Sequence, residues 1–89
     1  MALREDILEK IIRRAAEIFD RNPAELGEGT RFLDDLQAKS VNFVQIIALL
    51  EDDYDAEINF MAFKRNKTFG EAADFVAEII EDLFQQDDR

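Results

Sequence analysis

Between Arg4 and Phe19, apolar side chains fall at Ile7, Leu8, Ile11, Ile12, Ala15, Ile18 and Phe19. Intervals of three and four are the period of an amphipathic helix. The pattern stops from Asp20 to Lys39. There Asn22-Pro23 pairs a capping residue with a proline suited to a first helical position, which predicts a short turn. Gly27 and Gly29 punctuate a loop. A connection of about 20 residues is long for a small domain, and such loops are often functional. Phe32, Leu33 and Leu36 lie inside it and are expected to be anchored, because exposing three large apolar groups is costly.

A second helix is predicted from Ser40 to about Asp53. Its apolar set (Val41, Phe43, Val44, Ile46, Ile47, Leu49 and Leu50) is too wide for one stripe, so it is expected to lie between neighbours or line a cavity. Asp55 to Asn59 breaks the period, and Asn59 can cap a short third helix carrying Phe60, Met61 and Phe63. Residues 56–62 also alternate as a strand would, but Met61 and Phe63 then face away from Phe60, and no partner strand is available. Thr68-Phe69-Gly70-Glu71 matches a capping box. Phe69, Ala72, Ala73, Val76, Ile79, Ile80 and Leu83 follow at helical spacing, and Gln85 to Arg89 should fray. The predicted architecture is all-α: a small bundle of three longer helices and one short one, with a long loop between the first two.

A chain of 89 residues makes one domain, residues 1–89. With 47 % hydrophobic residues it has enough apolar material to fold despite 36 % charged ones. There is no cysteine and no histidine. Disulfides, thiolate metal sites and Ser-His-Asp or Cys-His catalysis are therefore excluded, and an enzyme is not expected. No apolar run approaches the roughly 18 residues of a membrane span, and the first residues turn charged too early for a signal peptide. A cytoplasmic monomer is the expectation. The net charge of −10 argues against nucleic acid and anionic membranes and suggests basic protein partners. Charge is uneven. Residues 40–60 carry Glu51, Asp52, Asp53, Asp55 and Glu57 with no base, whereas residues 61–70 carry Lys64, Arg65 and Lys67 with no acid.

Three features bear on chemistry. Asp53, Asp55, Glu57 and Asn59 alternate like the start of a calcium loop, but Ile58 stands where glycine is needed and Lys64 where glutamate is needed. Phe60, Met61 and Phe63 read equally as a partner patch or as simple core closure. Ser40 follows the anchored loop at the head of the second helix. It reads either as a plain helix cap or as a point for a phosphodiester, which would lie by free backbone N–H groups and the positive end of the helix dipole.

The run Phe32-Leu33-Asp34-Asp35-Leu36-Gln37-Ala38-Lys39-Ser40-Val41 resembles the attachment motif of acyl carrier proteins, usually Asp-Ser-Leu after a similar Phe/apolar/acidic/Asp/Leu stretch. The similarity continues through Val44, Ile47, Leu50-Glu51-Asp52-Asp53-Tyr54, Glu57-Ile58, Thr68, Ala72 and Asp74-Phe75-Val76, covering about residues 4–82. The resemblance implies that Ser40 carries phosphopantetheine, covalently attached from coenzyme A by a phosphopantetheinyl transferase. Acyl-loading and acyl-transferring enzymes are the other implied partners. It also implies a partner face at Lys39, Val41, Asn42, Gln45, Glu51 and Asp52. The implied cargo cavity is bounded by Phe32, Val44, Ile47, Leu50, Ile58, Phe63 and Phe75. Lys39 replaces the usual Asp, Val41 the usual Leu and Gln37 a frequent Gly. Asn42 and Gln45 stand at often acidic positions, and the usually acidic third helix is aromatic and followed by cations. These departures favour a specialised fatty-acid, lipid or secondary-metabolite carrier over a generic one. A peptidyl or aminoacyl carrier and an arm-less adaptor are the alternatives.

Overall fold

The computed structural model describes residues 2–86. Four α-helices follow one another: α1 Leu3–Phe19, α2 Ser40–Tyr54, α3 Phe60–Lys64 and α4 Phe69–Gln86. Among the described residues the only sheet-like pairing is an isolated bridge between Arg31 and Thr68. The all-α bundle expected from periodicity is the observed architecture. Of the segment expected to fray, Gln85 to Arg89, Gln85 and Gln86 are helical, and residues 87–89 lie outside the described residues.

Local chemistry explains the element boundaries. Asp20 and Asp55 end α1 and α2 in the left-handed conformation, their N–H groups bonding Ala16 and Glu51 carbonyls. Aspartate tolerates this backbone better than most non-glycine residues. Asn22 accepts from the Ala24 N–H and opens a 3-10 turn at Pro23–Glu25. The Asn59 side chain accepts from the Ala62 N–H at 2.8 Å and starts α3. Thr68 Oγ1 accepts from the Glu71 N–H at 3.1 Å, while the Glu71 carboxylate reaches back to the Lys67 N–H at 2.8 Å. This capping box is thus closed one residue earlier than its usual form.

One core joins all four helices. Ile7, Ile11 and Ala15 of α1 meet Ala72, Ala73, Val76 and Ile80 of α4, and Phe43, Ile46, Ile47 and Leu50 of α2 complete the cluster. The α2 expectation needs correction. Val41 and Val44 are 59 % and 50 % exposed, and Ala48 is exposed as well. At i, i+3 and i+7 they form a stripe facing away from the core. Periodicity shows how wide the apolar sector is, but not whether a neighbour arrives to cover all of it.

The long loop is ordered by a helical turn over residues 32–36. Gln37 ends it at φ 55°, with its N–H bonding the Leu33 carbonyl at 2.9 Å and the Ala38 N–H bonding the Phe32 carbonyl at 2.9 Å. The first of these bonds is the simple left-handed ending of a helical turn, in which glycine is the residue without a steric penalty, and the second is a wider i, i+6 closure. Phe32 and Leu36, one turn apart, are buried, but Leu33 is 56 % exposed. The expectation that all three are anchored therefore fails at Leu33, which the helical turn rotates to the other side.

Arg4 ties the start of α1 to the loop and to α4. It meets Glu28 at 2.7 Å, Asp74, and the Gly70 carbonyl at 3.4 Å. A Cβ on Gly70 would lie 2.9 Å from Glu28 Oε1 and 3.2 Å from both the Glu28 carbonyl and Arg4 Nη2, so a larger residue would have to push the Arg4–Glu28 pair and the loop backbone slightly aside. On the opposite side Tyr54 donates to Asp6, and Lys10 lies 4.5 Å over the Tyr54 ring while pairing with Asp6 and Asp53.

Burial, then the bond to Asp6, pushes the Tyr54 hydroxyl up from 10.0 to about 12, and the same bond lowers the Asp6 carboxyl. A raised folded value favours the neutral phenol in the folded state. Tyr54 thus contributes stability that is complete below pH 10.0 and is lost as pH rises through about 12. For Asp6 the sign is opposite: its contribution is present above the unfolded value of 3.8 and is lost as pH falls through the lowered one. Melting curves of Tyr54→Phe should therefore lack the part of the alkaline destabilisation that falls between pH 10.0 and 12 in the parent. Equal pH slopes in both proteins would refute the assignment.

Candidate functional site at the start of helix α2

Ser40 is the first residue of α2 and is exposed. It does not act as the helix cap. The N-cap position belongs to Lys39, in extended conformation, and Lys39 has no side-chain acceptor to offer. Asn42, at the third helical position, supplies only the reciprocal bond of a capping box, its Oδ1 accepting from the Lys39 N–H at 2.8 Å. The Asn42 and Phe43 N–H groups bond back to the Lys39 carbonyl at 2.9 and 3.2 Å. The first amides of the helix, at Ser40 and Val41, are those a helix leaves without an internal acceptor, at its positive end. A solvent-facing hydroxyl beside free donors fits a covalently attached phosphodiester.

Tertiary packing holds this hydroxyl in place. Phe32 forms the hub of an aromatic cluster, with ring centroids 5.0 Å from Phe43, 5.9 Å from Phe63 and 4.8 Å from Phe69. Its N–H donates to the Lys67 carbonyl at 3.1 Å, and the Phe69 N–H donates to the Thr30 carbonyl at 2.9 Å. The loop preceding Ser40 is thereby fastened to α2, to α3 and to the α3–α4 linker.

The residues expected to face partners are spread around α2 rather than along one side: Gln45 and Asp52 line the groove toward α1, whereas Glu51 faces the α2–α3 linker. Lys39, Val41 and Asp52 are exposed, and Asn42, Gln45 and Glu51 are half-buried. Asn42 Nδ2 contacts Gln45 Oε1 at 3.5 Å. The Glu51 carboxylate accepts from the Ile58 N–H at 2.8 Å and so helps to hold the α2–α3 linker.

Of the expected cargo positions, Phe32, Ile47, Leu50, Ile58 and Phe63 are buried in the common core, and Phe75 is partly buried against it. Val44 is the correction: half exposed, it lines an open groove beside Lys10, Arg13 and Arg14 of α1 and does not reach the interior. A cavity of about 390 Å³ opens between the loop, α3 and the start of α4. Phe32, Leu33 and Phe43 line it together with Arg31, Lys64 and Lys67. Phe32 alone of the expected cargo residues reaches it, because the others pack against one another. Leu33 and Arg31 were not singled out from sequence as contact residues. The 32–36 turn that exposes Leu33 depends on a distant anchor.

Comparison with known proteins agrees with this geometry. The phosphopantetheine attachment site family matches residues 9–76. An acyl carrier protein of Caulobacter vibrioides is 34 % identical over 73 residues, covering 82 % of this chain and 94 % of the relative. One from Phenylobacterium zucineum is 33 % identical over 73 residues, covering 82 % and 92 %. One from Lactobacillus acidophilus is 35 % identical over 72 residues, covering 81 % and 90 %. Exposed serine, anchored loop and helix order thus coincide with a match along most of the chain, which belongs to the acyl carrier protein family, whose members are carriers of covalent phosphopantetheine and not enzymes.

Proposed function

We propose that Ser40 is the attachment point of the phosphopantetheine arm and that the protein serves a specialised acyl-transfer pathway with dedicated partners. The observation that carries the first part is the division of labour at the start of α2. Lys39 holds the N-cap position, Asn42 bonds its N–H, and the exposed Ser40 hydroxyl is left for chemistry. The arm supplies a thiol that holds cargo as a thioester. Around it, Ser40 provides the ester oxygen, the α2 N-terminus favours the phosphodiester charge, and the Phe32 hub fixes the loop against which the arm emerges. The second part rests on Lys39, Asn42 and Gln45, which put one cation and no carboxylate beside the serine. Val41 adds an exposed apolar contact, while Glu51 and Asp52 keep the acidic character at the far end of the helix. A phosphopantetheinyl transferase and acyl-handling enzymes are the partners this implies. Cargo would be sheltered only by parting the packed side chains of α2, α3 and α4, since Ile47, Leu50, Ile58 and Phe63 are in contact with a common core.

The test is intact-protein mass after incubation with coenzyme A and a permissive transferase. The native chain should gain one arm and Ser40→Ala none, with unchanged helical content. Lack of modification by several transferases would favour the arm-less adaptor, and an arm on Ser40→Ala would move the site elsewhere.

A further inference from the structure

We infer that the edge formed by the first loop and α3, beside Ser40, is a docking face for an acidic protein surface, with exposed Leu33 and Met61 as its apolar contacts. The pairing of charges is the first ground. On α1, Arg4, Lys10, Arg13 and Arg14 each meet a carboxylate at 2.7, 3.3, 2.8 and 3.0 Å. Lys39, Lys64, Arg65 and Lys67 form no ion pair among the described residues, although the chain holds 21 acids and 11 bases. Carboxylates are abundant, yet these cations stay exposed, with Lys64 lying 5.8 Å over the Phe60 ring and no carboxylate among the described residues on any of the four.

Their placement is the second ground. Lys67 accepts through its carbonyl from the Phe32 N–H, and the Phe32 carbonyl accepts from the Ala38 N–H, next to Lys39. Two backbone hydrogen bonds thus link the cations after α3 to the cation beside Ser40. Lys64 and Lys67 share the 390 Å³ cavity with Arg31 and Leu33. Met61, one helical turn before Lys64, is 59 % exposed, and Leu33 is 56 % exposed. Exposed apolar side chains beside cations that outnumber the carboxylates around them suit a protein interface with a complementary rim.

Chemistry favours a protein over other anions. Asp34 and Glu71 line the same cavity, and the chain carries −10 overall, so a polyphosphate strand would be repelled on most approaches. The cations are exposed and separate, and Arg31 is held by Asp34 at 3.1 Å, which leaves no enclosed cradle for a small anion. A folded acidic surface can place carboxylates opposite the cations and keep its own bases away from them. This inference deepens the carrier reading only in giving the partner's purpose; the face itself does not depend on the arm.

The experiment therefore uses the full chain as Ser40→Ala, which cannot carry an arm at that position, and follows backbone amide shifts. The probe is a glutamate-rich peptide with central leucines. Comparison probes are a lysine-rich peptide of equal length, inorganic phosphate and a thymidine oligonucleotide. Saturable shifts confined to residues 31–33, 39 and 61–67 are expected with the acidic peptide alone. Lys64→Gln combined with Lys67→Gln should weaken binding at least about tenfold, and raised salt should weaken it too. Arg13→Gln combined with Arg14→Gln makes the same change in net charge on α1 and should leave the affinity nearly unchanged. The proposal fails if the shifts scatter over the chain, if both double variants weaken binding equally, or if phosphate or the oligonucleotide produces the same local shifts. Both substituted pairs lie on the helix surface or in the α3–α4 linker, and melting temperatures within a few degrees of the parent will establish that the variants are folded.

Discussion

Phe32→Ala is expected to cost about 3–5 kcal/mol, the range for emptying a fully buried phenylalanine site. For a domain of this size that lowers the melting temperature by more than about 12 °C. Phe32 is 1 % exposed and touches Phe43, Phe63 and Phe69, which belong to α2, α3 and α4. Its removal takes away the contact common to three helices and the weight that holds the 32–36 turn down. The loss should be local as well as global. Amides of residues 28–38 should exchange faster, while the α1–α4 interface, built from Ile7, Ile11, Ala72, Ala73 and Val76, keeps its protection until global unfolding. On the proposal that Ser40 carries the arm, its attachment should slow in step, because this loop leads into the serine. A variant with parental stability and exchange would show that the turn is held by its backbone hydrogen bonds alone.

Phe63→Ala is the second large effect, again about 3–5 kcal/mol, because the ring is fully buried between Phe32 at 5.9 Å and Phe43 at 6.3 Å. The two substitutions should differ in kind. Phe63 is the only fully buried side chain of α3 and is its main link to the core. Its loss should loosen residues 59–66 and leave the 32–36 turn, still anchored on Phe43 and Phe69, in place. On the proposal that cargo shelters between α2, α3 and α4, the space vacated by the ring becomes available to an acyl chain. A longer chain attached through Ser40 should then be better protected from solvent, measured as slower thioester hydrolysis, and should recover part of the lost melting temperature. Equal hydrolysis for all chain lengths would mean that the ring supports the fold without shaping the cargo space.

Much of the site was legible because its signals are local. Asn22-Pro23, Asn59 and Thr68 with Glu71 each place a side-chain acceptor within three residues of the amide it serves, so neighbouring sequence is enough to read them. The i, i+3, i+4 spacing in α1 and α4 carries the buried face directly. Ser40 was legible in position but ambiguous in role, since serine is itself a common cap. Only the structure shows that Lys39 holds the N-cap position, with Asn42 bonding its N–H and Ser40 inside the first turn.

The sequence by itself therefore determined the helices, their order, the long ordered connection and the serine at the head of α2, because backbone propensity, capping and periodicity act over a few residues. It also displayed the carrier resemblance and its departures at Lys39, Asn42 and Gln45. Tertiary structure decided which apolar groups are covered. Val41 and Val44 on α2, Leu33 in the loop and Met61 on α3 are as hydrophobic as their buried neighbours, yet each is at least half exposed. Burial depends on which element packs opposite, and that is set by contacts far apart in the chain, above all the Phe32 hub. The same long-range packing ties the backbone at Lys67 to Phe32, and Phe32 to Ala38 beside Lys39, a link between segments far apart in the chain.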